Sequence, residues 1–166
     1  MSKLESNYTG VLVGALIALV STFLSQEWTS YKEKKNLEYA FKGEISALLT
    51  IVKKKGLLNG VSNAIDKTKK SGNASFPTFT VAGNYFAIYN DNPAKLGKIT
   101  ALLAQDVATF YTHAYSIVET LNWMAQADAS KTSQEKALSM LYHLHDVIQS
   151  TSNLGEKLVG PSGLGS

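Results

Sequence analysis

The chain contains no cysteine and no arginine. The first absence excludes disulfides, thiolate zinc sites and cysteine nucleophiles, and leaves the compartment open, because cysteine-free proteins occur everywhere. The second weighs against sequence-specific nucleic-acid recognition. All sixteen basic residues are lysine, so the planar fork that reads phosphate pairs and guanine edges is missing, and lysine supplies only non-specific charge. Strand-type alternation of useful length is absent too, as is any repeat of fixed period, which leaves an all-α chain. Its 166 residues are enough to bury one core without staples.

Formal charge is missing from Ser6 to Gln26, twenty-one residues in all. As a helix they span about 31 Å, close to the ~30 Å of a hydrocarbon layer. Tyr8 lies on one side of the dense apolar centre Val11–Leu24, and Trp28 and Tyr31 lie on the other, where amphipathic rings favour the two interfaces. A cleaved signal peptide fits less well, since only Lys3 precedes the run and no A-x-A follows it. A buried core helix fits less well too, since a soluble amphipathic helix would carry charge on one face and this run carries none. The expectation is therefore a transmembrane helix over 6–27, a helical bundle over 28–159 and a disordered tail over 160–166.

Charge is uneven along the chain. Through Ser75 there are eleven lysines against six acids, and beyond it five lysines against seven acids. Lys32, Lys34 and Lys35 follow the apolar run directly, whereas Lys3 alone precedes it. By the positive-inside rule the bundle would face the cytoplasm from a single-pass anchor in the inner membrane, with these three lysines at the lipid surface. Gly10, Gly14, Ala18 and Thr22 recur every fourth residue, a spacing that lets helix backbones approach closely and suggests homo-oligomers formed through this face.

Beyond Trp28 the apolar spacing predicts continued helix to about Lys55, with Leu37, Phe41, Ile45, Leu48, Leu49 and Val52 on one stripe. Lysines 53–55 suit the helix C-terminus, and Gly56 interrupts. A short helix is expected near Leu57–Lys69, a polar loop at Ser71–Ser75, and a second short helix near Phe79–Tyr89 that ends at "NDNP". Leu103, Val107, Phe110, Ala114, Ile117, Leu121 and Met124 alternate steps of four and three, the seam of a bundle helix over about Thr100–Ala127. The final helix opens at "TSQE", read as a capping box of Thr132 and Glu135, and continues its seam through Ala137, Leu141, Leu144, Ile148, Thr151 and Gly155. The two long helices are expected to run antiparallel. Phe76, Phe79, Tyr85, Phe86 and Tyr89 read as a cap on the core.

No motif in the sequence assembles a catalytic or metal-binding set. His143 and His145 are two apart, so on a helix they point about 200° from each other and do not share an ion. None of Glu44, Glu119, Glu135 or Glu156 has a histidine three residues later, as a di-iron bundle requires. His113 has no serine, cysteine or acid placed by motif to complete a triad. "LVGPSGLGS" lacks the lysine-hydroxyl ending of a phosphate loop. No catalytic, cofactor or metal residue is assigned, and an enzyme is not expected.

Three stretches are familiar together: "AFKGEISALLTIV" at 40–52, "YNDNPAKLGKIT" at 89–100 and "VATFYTHA" at 107–114. Together they resemble a loosely defined group of bacterial and prophage-type proteins with one N-terminal span and a helical domain. The resemblance covers residues 8–125 and implies a membrane-anchored helical domain, with no catalytic residues to carry over. Physically, Gly43 would permit close helix approach and Gly97 a tight bend. Glu44, an acid beside apolar neighbours, would pair with a lysine or bond a turn amide. The function expected from all this is a non-enzymatic, membrane-anchored interaction or scaffold protein, accessory to a membrane complex or a phage-related exclusion or defence system. Its partners would be lipid and an unidentified protein. The alternative is an oligomerising, holin-like protein that permeabilises the membrane.

Overall fold

A computed structural model describes residues 2–79 and 85–160, with side chains described from residue 21 onward. Five α-helices follow in order: α1 (Ser2–Lys54), α2 (Leu57–Ser71), α3 (Ala87–Asp91), α4 (Ala101–Gln126) and α5 (Gln134–Val159). Short 3-10 turns at Pro93–Lys98 and Ala129–Lys131 join α3 to α4 and α4 to α5, and no strand occurs among the described residues. The all-α expectation holds. Two compact units divide the chain, Met1–Glu38 and Tyr39–Ser166.

The expected membrane span does not. Among the described residues no helix is long and apolar enough to cross a membrane, which overturns the transmembrane helix over 6–27, the single-pass description and the inner-membrane location. The physical reason is visible from Ser21 onward. Glu27, Lys32, Glu33, Lys34 and Lys35 crowd the helix, interspersed with hydroxyls such as Thr29, whose Oγ1 donates to the Ser25 carbonyl at 2.8 Å. Five charges within nine residues exceed what a membrane span carries.

In the second unit, the long helices form where their sequence carries a single buried stripe. Phe41, Ile45 and Leu49 are buried on α1, four residues apart. The helix ends where Gly56 takes a left-handed conformation, φ 60°, which a side chain would resist. On α2 the buried stripe is Leu57, Val61, Ala64, Ile65 and Thr68, and Gly72, also left-handed at φ 72°, closes it by donating to the Thr68 carbonyl at 3.1 Å. The seams of α4 and α5 match the sequence spacing: Val107, Phe110, Ile117, Leu121 and Met124 are buried on the first, and Ala137, Leu141, Leu144, Ile148, Thr151 and Gly155 on the second.

Pairings between distant residues set the directions. Asp106, near the start of α4, meets Lys157 near the end of α5 at 3.1 Å, so these helices run antiparallel, as expected. Gln134 at the start of α5 donates to the Thr68 carbonyl at the end of α2 at 3.2 Å. The cap of α5 is one residue later than the sequence suggested: Ser133, not Thr132, accepts from the Lys136 amide at 3.3 Å. Of the helix expected over Phe79–Tyr89, the described residues show Ala87–Asp91 as helix and Phe79, Tyr85 and Phe86 outside it. Pro77 and the β-branched Thr78 disfavour helix before it, and residues 80–84 lie outside the described residues, as do 161–166 of the expected tail.

The connector after α2 is held by side chains. Thr68, fully buried, accepts from the Ser75 amide at 3.0 Å through Oγ1. Phe76 meets Trp123 edge-on, with ring centroids 5.9 Å apart. Phe79 lies over Gly60, so closely that a Cβ there would fall 2.3 Å from its Cζ. The connector therefore rests on α2 and α4 before it reaches α3.

Candidate functional site

Glu44 is the polar centre of the second unit. It sits on α1 between the buried Phe41 and Ile45, and its carboxylate turns toward α3. Oε1 accepts from the Ile88 amide at 2.7 Å and Oε2 from the Tyr89 amide at 3.2 Å. These are the second and third amides of α3, which an N-cap side chain ordinarily satisfies, and Phe86 at the cap position has no side chain to do so. Glu44 caps the helix from 44 residues away. Oε2 also accepts from the Tyr111 hydroxyl. Hydrogen bonds to an ionised acceptor contribute about 1.5–3 kcal/mol each.

Aromatic rings enclose that carboxylate. Tyr111, on α4, is fully buried. Tyr89 stacks on it with centroids 4.1 Å apart and planes at 17°, while Phe86 and Phe41 meet it edge-on at 5.9 and 6.3 Å. Tyr115 packs against Phe86 at 4.3 Å and donates through its hydroxyl to Asn90 Oδ1. Asn90 and Asn92 belong to the "NDNP" turn, and Asn92 donates from Nδ2 to the Ile88 carbonyl at 2.7 Å. Burial, and then the hydrogen bond to Glu44 and its charge, push the Tyr111 phenol well above the ordinary tyrosine range. The arrangement favours a neutral phenol donating to a carboxylate that already holds two backbone amides, which suits anchoring.

Beside this cluster lies an apolar cavity of about 80 Å3. Leu48, Val52, Phe79, Ala114, Val118 and Ile148 line it, with Lys55, Thr151 and Ser152 among its few polar neighbours. Lys55 is exposed. Ala114 is its small wall: every other member of the α4 seam is Leu, Val, Phe, Ile or Met. Thr151 is satisfied internally, donating to the Val147 carbonyl at 2.6 Å.

Of the residues singled out from the sequence, Gly10, Gly14 and Ala18 have side chains outside the described residues, and Thr22 is exposed. Lys32 lies over the Trp28 ring and Lys35 over the Tyr31 ring, each 5.2 Å from the centroid. Lys34 is partly buried. His143 is exposed, and His145 Nδ1 lies 3.6 Å from Asp146 Oδ1. Among the described residues no group of three His, Cys, Asp or Glu side chains is placed to hold a metal ion. His113 is half-buried, and its Nδ1 has no hydrogen-bond partner among the described residues.

One glycine expectation is corrected: Gly43 is exposed and a Cβ there would meet nothing within 4 Å. Gly97 lies in the tight 3-10 turn Pro93–Lys98, in open space. The close approach occurs at Gly155 instead, where a Cβ would fall 2.8 Å from Phe110 Cε2 and 3.0 Å from Leu49 Cδ2. Sequence spacing placed Gly155 on the α5 seam, but nothing in it told a contact glycine from an exposed one. The cluster was signalled more clearly. Glu44, Tyr89, Asn90 and Tyr111 come from the three stretches that carried the resemblance, and the fold brings all three to one place. Comparison with family models, curated proteins and solved structures finds no match to this chain.

Proposed function

We propose that the chain is a non-enzymatic interaction protein that associates with a second copy of itself through the described part of α1 in the first unit. The observation that carries this reading is an apolar face left in solvent. Phe23, Leu24, Trp28 and Tyr31 are 52–63% exposed, far more than large rings and aliphatics ordinarily are. Leu24, Trp28 and Tyr31 are four and three residues apart, the seam of a two-helix coil. In a parallel pair with that seam, Glu27 of one copy lies opposite Lys32 of the other, so charge and apolar register agree. The satisfied Glu44 cluster supports a non-enzymatic role, since it stiffens the second unit without presenting a reactive group.

The native absence of cysteine makes the test direct. Leu24→Cys places a thiol on the seam and Gln26→Cys places one on the opposite side of the helix. Under mild oxidation the first is expected to form a disulfide-linked dimer and the second to stay monomeric, with sedimentation of the unmodified chain showing a dimer. A monomer at every accessible concentration, or equal cross-linking of both variants, would sink the proposal.

A further inference from the structure

We infer that the apolar cavity of the second unit is a binding site for a compact, uncharged apolar molecule of about three or four heavy atoms, smaller than a benzene ring. Lining chemistry sets the first limit. Leu48, Val52, Phe79, Val118 and Ile148 bring only hydrocarbon side chains to it, and Thr151 already commits its hydroxyl proton to the Val147 carbonyl at 2.6 Å. Water needs about two to four polar partners to stay in such a place, and an ion would give up its hydration for almost nothing. A neutral hydrocarbon needs no partner, and its transfer out of water is favourable for each carbon buried.

Size sets the second limit. An apolar cavity of about 150 Å3 stays dry and takes up benzene or xenon. This one, at about 80 Å3, is close to half as large and leaves room for about half of benzene's heavy atoms. Its walls come from separate elements: Leu48 and Val52 from α1, Val118 from α4, Ile148 from α5 and Phe79 from the connector. Phe79 is itself fixed against Gly60. A guest that touches these walls binds the folded chain alone, so it stabilises the second unit by mass action. Ala114 is where the space arises: larger residues hold every other place on its seam, and one of them here would fill the cavity.

Xenon and cyclopropane are the probes, dissolved under pressure and followed on the full chain through the methyl resonances of Val52, Val118 and Ile148. Both are expected to shift these resonances saturably, with dissociation constants on the order of 1 mM, as so few atoms allow. The methyls of Leu102, 71% exposed, should not follow them. Benzene, acetate and trimethylammonium are expected to shift none of these groups. Ala114→Val fills the cavity and should weaken xenon about tenfold or more, because the walls must then move to admit it. Val118→Ala enlarges the cavity and should admit benzene, a gain that does not depend on the valine variant folding. No saturable shift in the native chain, or xenon binding undiminished in a folded Ala114→Val, overturns the site. So does a Val118→Ala chain that excludes benzene where the valine variant does not fold. Saturable benzene binding to the native chain overturns the size limit, and acetate or trimethylammonium binding as well as cyclopropane overturns the uncharged class.

Discussion

Removing the Glu44 carboxylate tests whether one side chain holds the α1, α3 and α4 segments together. In Glu44→Ala three donors lose their acceptor: the amides of Ile88 and Tyr89 and the hydroxyl of Tyr111. The amides, on a short half-buried helix, recover water, whereas the hydroxyl sits on a side chain with no exposed surface and does not. An unsatisfied buried donor costs about 1–3 kcal/mol, and the lost charge-assisted amide bonds add to it, so a destabilisation of about 2–4 kcal/mol is expected. For a chain of this length that lowers Tm by roughly 4–16 °C. Tyr111→Phe removes the hydroxyl and leaves the carboxylate its two amide donors, at a cost of about 1.5–3 kcal/mol.

The double variant is the discriminating member of the cycle. Once Tyr111 is phenylalanine, Glu44→Ala no longer orphans a hydroxyl, so the two effects should fall short of additive by about 1–2 kcal/mol. Urea unfolding followed by Trp123 fluorescence reads this directly in a Trp28→Phe background, because Trp123 packs on Phe76 within the second unit. Additivity within about 0.5 kcal/mol, or a Glu44→Ala variant as stable as the parent, would refute the reasoning.

Alkaline pH should act through Tyr111. Its folded pKa is raised, so the stability it contributes is complete below the unfolded tyrosine value of about 10 and is lost above it at about 1.4 kcal/mol per pH unit. Urea titrations between pH 8 and 11 should show a shallower loss in Tyr111→Phe than in the parent, and identical slopes would contradict the burial argument. Gly155→Ala and Gly43→Ala should move stability in opposite directions. The first forces a methyl against Phe110 and Leu49 at a net cost of about 1–2 kcal/mol, and the second gains about 0.5–1 kcal/mol of helix propensity in open space; calorimetric Tm shifts of the same sign would be inconsistent with the packing described. Thr68→Val keeps the shape of a fully buried side chain but strands the Ser75 amide it bonds, an expected loss of about 1–3 kcal/mol with faster amide exchange at Ser75. Unchanged exchange there would mean that the hydroxyl does not pin the connector.

What was legible in the sequence is what depends on neighbours a few residues away. The α4 and α5 seams follow from a 3.6-residue period, and a helix cannot bury one stripe without that period being written in it. The stop at Gly56 is equally local. The α5 cap was missed by one residue because Thr132 and Ser133 both carry a hydroxyl, and only backbone geometry chooses between them. Gly43 and Gly155 were indistinguishable for a longer-range reason: a glycine matters when another helix presses on it, and the residues pressing on Gly155 are 45 and 106 positions away. The apolar run over 6–26 misled in another way. Hydropathy counts what a segment avoids, and the chain's charge resumes at Glu27 on the same continuous helix, so length and lack of charge alone did not fix its surroundings.

Glu44 lies between these cases. That an acid among Phe41, Ile45 and Leu49 needs partners follows from elementary solvation, since a partly buried carboxylate without donors is costly. Which partners it takes does not follow, because they arrive from 44 to 67 residues further along the chain. The choice of an acid is nonetheless forced once they are there. Two amides at the start of an uncapped helix and one buried phenol all donate, and a single carboxylate is the one side chain with acceptor lone pairs enough for three donors and no proton to conflict with them. Glutamine keeps one acceptor oxygen and brings an amide whose hydrogens face the donors. Glu44→Gln should therefore destabilise nearly as much as Glu44→Ala despite its closer shape, whereas an isolated surface role would make the glutamine harmless.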